Sequence, residues 1–299
     1  MSHDHHHSID PKKVNAAFRI GIGLNFAFVI IEVIAGFYIH SLSLLSDAGH
    51  NLADIAALAL SLLAFKLLKV RSTPEYTYGY RKTSILVALF NGMVLMVSIG
   101  AIIFEAAHKF FNPEPLPGIT IAWVAGAGIL INTITAFMFF WDREKDLNIK
   151  SAYLHLLSDA LVSAVLVVGG VMIYYTSWYW IDPVLSIIVA FTIFFSTWKL
   201  LKESFRLSMD GVPKDMSIEK IISSSKEISG IKDIHHIHLW AMSTTENALT
   251  AHIVVDKICS LEETEKIKHA LKHNLEKLNI QHITLEVESS DEDCRMTKC

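Results

Sequence analysis

Cysteine is scarce in this 299-residue chain: there are three, Cys259, Cys294 and Cys299, all in its C-terminal part. They are too few and too clustered for a disulfide framework and read as reduced, cytosolic thiols. An excess of positive charge is also lacking, and a net charge of -4 argues against a nucleic-acid partner. The polar N-terminus lacks the apolar core and cleavage pattern of a signal peptide, so none is expected to be removed. No H-E-x-x-H helix occurs, which removes the commonest zinc-hydrolase signature. Lys and Arg are absent from His40-Ser41, from Phe110 to Gly118 and from Thr176 to Asp182.

What the chain has is apolar surface. With 52% hydrophobic residues and a mean hydropathy of +0.40, it reads as an integral membrane protein with room for a soluble domain. Six apolar segments run approximately Val14 to Ile39, Leu42 to Phe65, Ile85 to His108, Ile119 to Trp141, Ser151 to Tyr175 and Pro183 to Leu201. Each meets the need for about 20 helical residues to cross a hydrocarbon core of about 30 Å. Basic residues cluster before the first segment and after the second, fourth and sixth: Lys12, Lys13 and Arg19, then Lys66, Lys69, Arg71, Arg81 and Lys82, then Arg143, Lys145 and Lys150, then Lys199, Lys202 and Arg206. The positive-inside rule therefore places both termini in the cytosol. Trp178, Tyr179 and Trp180 suit a membrane interface, and Pro113, Pro115 and Pro117 stiffen one short loop.

Within this apolar frame, the second segment holds His50 and Asp54 four residues apart, and the fifth repeats the spacing with His155 and Asp159. That spacing puts each pair on one helix face. Two imidazoles and two carboxylates make a tetrahedral set suited to a divalent ion such as zinc, with bonds of roughly 2.0 to 2.2 Å. A single intramembrane histidine can be a satisfied core residue, but an uncompensated Asp at mid-bilayer costs roughly 2.5 to 3.5 kcal/mol and marks an ion or proton pathway. Asp47, three residues before His50, can accept a hydrogen bond that fixes the imidazole tautomer. Asn25, Glu32, Asn91, Glu105 and Asn132 are further polar residues within the segments, and Glu32 reads either as a proton relay or as a helix-packing hydrogen bond.

The expected organisation is a His-rich tail over residues 1–13, a six-helix transmembrane domain over 14–207, a small cytosolic α+β domain over 208–289 and a C-terminal tail over 290–299. His3, His5, His6 and His7 in the first tail could collect metal or form a solvated leader. From about Ser208 the apolar runs shorten. Ser217 to Ser229 reads as a helix ended by Gly230, Asp233 to Ser243 and Ala248 to Asp256 as paired strands, Leu261 to Leu278 as a helix and His282 to Glu288 as a last strand. The order αββαβ gives a three-stranded sheet with two helices on one face. Strand alternation sets His236 and His238 on the face opposite His235, so a second metal site would draw one histidine from each strand, His235, His252 and His282. The alternative is that these histidines merely line a sheet surface or a dimer face. Cys294 and Cys299 are spaced too widely for a zinc knuckle.

The motifs SLSLLSDAGHNLAD, YTYGYRKTSILVALFNG, AYLHLLSDALVS, IDPVLSIIVA and IHHIHLW occur in that order. With them the chain resembles a cation diffusion facilitator of the zinc-transporting branch. The resemblance implies a transport site at His50, Asp54, His155 and Asp159, a metallochaperone-like cytosolic αββαβ domain, a homodimer, and exchange of divalent metal for protons across a membrane. It adds Glu288 as a weaker ligand of the cytosolic site. Many members carry a glutamate soon after the Tyr-Gly-aromatic-Arg motif, whereas this chain has Ser84 and so no carboxylate there for an ion pair.

The expected activity is efflux of Zn2+, with Cd2+, Co2+ or Fe2+ able to share the site. Protons and metal would compete for the same ligands, since neutral imidazole and ionised carboxylate bind metal. The zinc is cargo and, at the cytosolic site, a regulatory ion; no organic cofactor is expected. A bacterial inner membrane suits the compact layout. Two other readings compete. An intramembrane zinc enzyme would need an open coordination position that four protein ligands do not leave. A membrane-tethered metal sensor would need the soluble histidines but neither Asp54 nor Asp159.

Overall fold

A computed structural model describes residues 11–38, 42–111, 118–176, 178, 180–255 and 260–289. The tail histidines, Pro113, Pro115, Pro117, Tyr179 and the three cysteines lie outside the described residues, as do the side chains of Asp47, His50 and Glu105.

The N-terminal part is all helix: α1 Pro11–Tyr38, α2 Leu42–Leu67, α3 Thr83–Phe111, α4 Gly118–Phe139, α5 Leu147–Thr176 and α6 Ile181–Ser208. Helix α5 starts before, and α6 runs well beyond, the apolar segments that predict them, because both continue as polar turns on the side where the chain passes into its soluble part. The helices pack as α1 on α2 and α4, α4 on α5, α3 on α6, and α5 on α6, with α2 also meeting α3 and α5.

Burial in this bundle is inverted relative to a water-soluble protein. Phe26, Ile34, Val97, Phe104, Trp123, Leu130, Phe195 and Trp198 face outward, while Asn25, Glu32, Asn51, Asp54, Asn91, Asn132 and His155 are buried. An apolar exterior around a polar interior is what hydrocarbon solvent selects, because polar groups can be satisfied only inside the protein. Among the described residues, Val14–Ala35 and Thr83–Phe111 are long and apolar enough to cross a membrane by length and composition.

The C-terminal part is α7 Ile218–Lys226, β1 Ile231–Ala241, β2 Asn247–Val255, α8 Leu261–Lys277 and β3 His282–Ser289, the αββαβ order that the sequence predicts. Its sheet runs β1-β2-β3, with β1 antiparallel and β3 parallel to β2. Ile221, Ile234, Leu249, Ile253, Leu271 and Leu275 form its core, drawn from both helices and the sheet. A Ser260–Glu263 capping box starts α8 and satisfies donors that the helix itself cannot. Gly230 has φ +98, and a Cβ there would sit 2.5 Å from Ile267 Cδ1, so only glycine serves at this helix-to-strand corner.

The two parts meet where the Tyr-Gly-Tyr-Arg turn leads into α3. Gly79 takes φ +68, its N–H bonding Tyr76 O at 2.7 Å, and the turn delivers Arg81 and Lys82 to the soluble domain. Arg81 pairs with Glu246, and Lys82 Nζ reaches Asp210 at 2.5 Å, Leu207 O at 3.0 Å and Ala241 O at 3.2 Å. Beneath them Ile85, Leu147, Leu207 and Ala241 make a small apolar seam between the domains.

Candidate metal centres

Helix periodicity turns the sequence spacing of α5 into geometry: His155 and Asp159, one turn apart, face Asp54 on α2. A ligand atom from each of these three side chains lies within 4.8 Å of the others. His155 Nε2 and Asp54 Oδ1 are 2.6 Å apart. This contact is buried inside the bundle. A borderline nitrogen donor with two carboxylates fits a divalent first-row ion. His50 is one turn before Asp54 on α2, where its backbone belongs to the same helix, but its side chain and that of Asp47 lie outside the described residues.

Second polar contacts surround this centre. Asn51 Nδ2 donates to Glu32 Oε2 at 2.8 Å, which ties α1 to α2 beside the site. Asn91 Nδ2 donates to Ser61 Oγ at 2.7 Å and to Ala57 O at 3.3 Å, tying α3 to α2. A small cavity lined by Ala57, Ser61, Asn91, Ser151 and His155 adjoins the centre. It lies toward the C-terminal end of α2 and the N-terminal end of α5, the side on which the soluble domain sits.

At that side the junction also holds a buried carboxylate. Burial pushes the Asp146 carboxyl above the usual carboxylate range, opposed by hydrogen bonds from the Thr244 hydroxyl and the backbone N–H groups of Ile149 and Asn148. In the loop before it, Glu144 is held below its ordinary value, chiefly by the hydrogen bond that Lys150 donates.

The soluble domain carries a second cluster, of His235, His252 and Glu288, whose ligand atoms again lie within 4.8 Å of one another. His235 and His252 are cross-strand partners on β1 and β2. His252 Nδ1 is 2.6 Å from Glu288 Oε1, and His235 Nε2 is 3.3 Å from Glu288 Oε2. His252 Nε2 lies 3.4 Å from Glu286 Oε2.

Two expectations fail here. His282 does not join the cluster: β3 runs parallel to β2 and pairs His282 with Ala248, four residues, or about 13 Å, along the strand from His252. The same register sets Glu286 opposite His252 and brings Glu288, two residues on, to the site. His282 instead lies 3.1 Å from Arg81 Nη1, with its ring edge-on to Tyr78. The opposed faces of His235 and His236 also fail, because β1 bulges between His235 and His238 and His236 takes φ 49. An extra residue in a strand breaks the alternation that the expectation assumed. His236 consequently lies near His252, the rings tilted with centroids 4.8 Å apart, and its Nε2 lies 3.1 Å from His238 Nε2. Glu286 and His236 thus border the cluster, and only the crowding of three histidines in IHHIHLW hinted at an irregular strand.

Comparison with known proteins agrees with this two-part layout. Residues 18–207 match the model of the cation efflux transmembrane domain and residues 213–290 that of the cation efflux protein cytoplasmic domain. Over 291 residues the chain is 34% identical to a cadmium, cobalt and zinc/H(+)-K(+) antiporter of Bacillus subtilis, covering 97% of this chain and 92% of that one. It is 32% identical over 294 residues to the zinc transporter ZitB of Escherichia coli, at 96% and 93% coverage. It is also 32% identical over 287 residues to the metal cation efflux system protein CzcD of Cupriavidus metallidurans, at 96% and 89%.

Proposed function

Because the chain belongs to the cation efflux family, we propose that it exports cytosolic Zn2+, with Cd2+ and Co2+ as further substrates, in exchange for protons through the centre formed by Asp54, His155 and Asp159. It is an integral membrane metal-efflux antiporter. The observation that supports the site is the convergence of two carboxylates and an imidazole inside a bundle whose outer surface is apolar. All six helices span the membrane in this reading, with both termini cytosolic, and His50 supplies the fourth ligand. Residues 14–207 form the membrane domain and 208–289 the cytosolic one, a dimerisation unit that pairs two copies of the chain.

The chemistry follows from the ligands. Cytosolic metal reaches the centre through the cavity beside Ser61, Asn91 and Ser151 and binds the deprotonated set. When the centre opens to the far side, protons compete for the same imidazole and carboxylates and release the ion. Exchange is therefore a consequence of one site serving both charges. His235, His252 and Glu288 hold a regulatory ion at a distance from this path.

Zinc flux into proteoliposomes under an imposed pH gradient tests the reading. The native chain should move zinc, collapse of the gradient should slow it, and Asp159→Ala should abolish it. A native chain that moves no divalent metal, or moves it equally well without Asp159, would refute the reading.

A further inference from the structure

The turn between β1 and β2 reaches out of the soluble domain and touches both helices that frame the cytosolic mouth. The Thr244 hydroxyl donates to Asp146 Oδ2, and the Thr244 backbone N–H donates to Ser84 Oγ at 3.1 Å. Asp146 is the residue before α5, and its other oxygen accepts the N–H groups of Asn148 at 2.7 Å and Ile149 at 3.2 Å, which would otherwise lack partners at the helix start. Asn148 Nδ2 in turn donates to Ser84 O at 3.0 Å on α3. One threonine therefore joins the first turns of α3 and α5.

The joint is stiff on both sides. Ser84, Asp146 and Asn148 are almost completely buried. The turn is braced internally, with Ser243 Oγ accepting the N–H groups of Thr245 at 3.2 Å and Glu246 at 3.0 Å, and Met242 N–H bonding Glu246 O at 2.8 Å. Helix α5 carries His155 and Asp159 from this fixed start, His155 being nine residues, about 14 Å, along the axis from Asp146. The cavity beside the transport centre is lined by Ser151, one turn from Asn148. A displacement of the first turn of α5 along or about its axis is passed to both ligands, because the helix between them is continuous. Ser84 has a role here that the family's glutamate at this stretch would not reproduce: a hydroxyl that accepts the Thr244 N–H while donating to Arg81 O at 2.9 Å.

We propose that Thr244 is a positioning residue for metal transport: by tying Asp146 and Ser84 it sets the placement of α5, and hence of His155 and Asp159 against Asp54, from within the cytosolic domain. This rests on the transport reading above. A cap that merely stabilised the fold would be read in melting temperature alone. A positioning contact is read in the apparent affinity for metal.

The test is zinc flux as a function of zinc concentration in proteoliposomes of the full chain, with melting temperature measured in parallel. Thr244→Val, which keeps shape and removes the hydroxyl, should raise KM for zinc about fivefold with maximal flux within about twofold, the scale of one lost hydrogen bond. Thr244→Ser should restore the native KM. Should Thr244→Val fail to fold, Ser84→Ala removes the other anchor from the membrane side and should raise KM in the same direction. A fall in melting temperature with KM unchanged overturns the proposal, as does a Ser variant that folds but does not restore KM. A native chain without zinc flux would instead refute the transport reading itself, which separates the two failures.

Discussion

The two candidate metal clusters are built from the same donor types, yet they differ in scaffold and in access to water. In the bundle, the side chains of His155 and Asp54 keep only 7% and 5% of their exposure, and the cluster rests on the one helix turn between His155 and Asp159 and on the packing of α2 against α5. In the sheet, His235, His252 and Glu288 keep 20%, 16% and 11%, and their convergence depends on a bulge and on strand register. The difference matches the roles proposed for them, cargo in the bundle and a regulatory ion in the sheet. A cargo site must be screened from simultaneous contact with both sides, whereas a regulatory site must equilibrate with one. Burial also makes ligand loss more costly in the bundle, where water cannot replace a missing donor.

The sharpest way to break the comparison is to remove one ligand from each cluster. Asp54→Ala should lower zinc flux in proteoliposomes by more than about a hundredfold, since changes even one shell further out cost 10- to 100-fold at metal sites. His252→Ala should leave maximal flux within about threefold while abolishing zinc binding to the soluble domain, measured by equilibrium dialysis of the full chain. Equal losses of flux in both variants would erase the distinction.

The junction between the regions offers a pH test. Burial raises the Asp146 carboxyl, so the folded state holds its proton more tightly than the unfolded chain, where the pKa is about 3.9. The stability this group contributes is present below that unfolded value and is lost as pH rises through the higher folded value. Asp146→Asn keeps an oxygen for the α5 cap and has no charge to desolvate. Its melting temperature should therefore gain on that of the native chain as pH rises from about 4, then hold a constant margin. A margin that shrinks with rising pH would contradict the assignment.

The smallest expected effect belongs to His282. His282→Ala should leave zinc binding to the soluble domain unchanged and cost less than about 1 kcal/mol in a denaturant melt, the scale of an exposed polar contact. A loss of bound zinc would restore His282 to the site and overturn the β3 register.

These regions also differ in how far the sequence disclosed them. The i,i+4 pairs of the bundle are local, so His155 and Asp159 could be set on one face from spacing alone, and the αββαβ order followed from helix and strand periodicities. The sheet cluster is non-local. Glu288 was available only through the family resemblance; ranking it above His282 and adding Glu286 required knowing that β3 runs parallel to β2 and in which register, and placing His236 beside His252 required a bulge that alternation cannot reveal. The contact of Thr244 with Asp146, 98 positions apart in the chain, was likewise invisible, because neither residue carries a spacing signature. Ser84 stood out only as a departure from the family pattern.

X-ray absorption at the zinc edge, on the full chain carrying His252→Ala to empty the cytosolic cluster, tests most directly whether the cargo is held in the bundle. The account predicts one tightly held zinc per chain in a shell of imidazole nitrogen and carboxylate oxygen without sulfur, lost when Asp159→Ala is added. Zinc retained in full after that second change, or a sulfur shell from the cysteines, would contradict it.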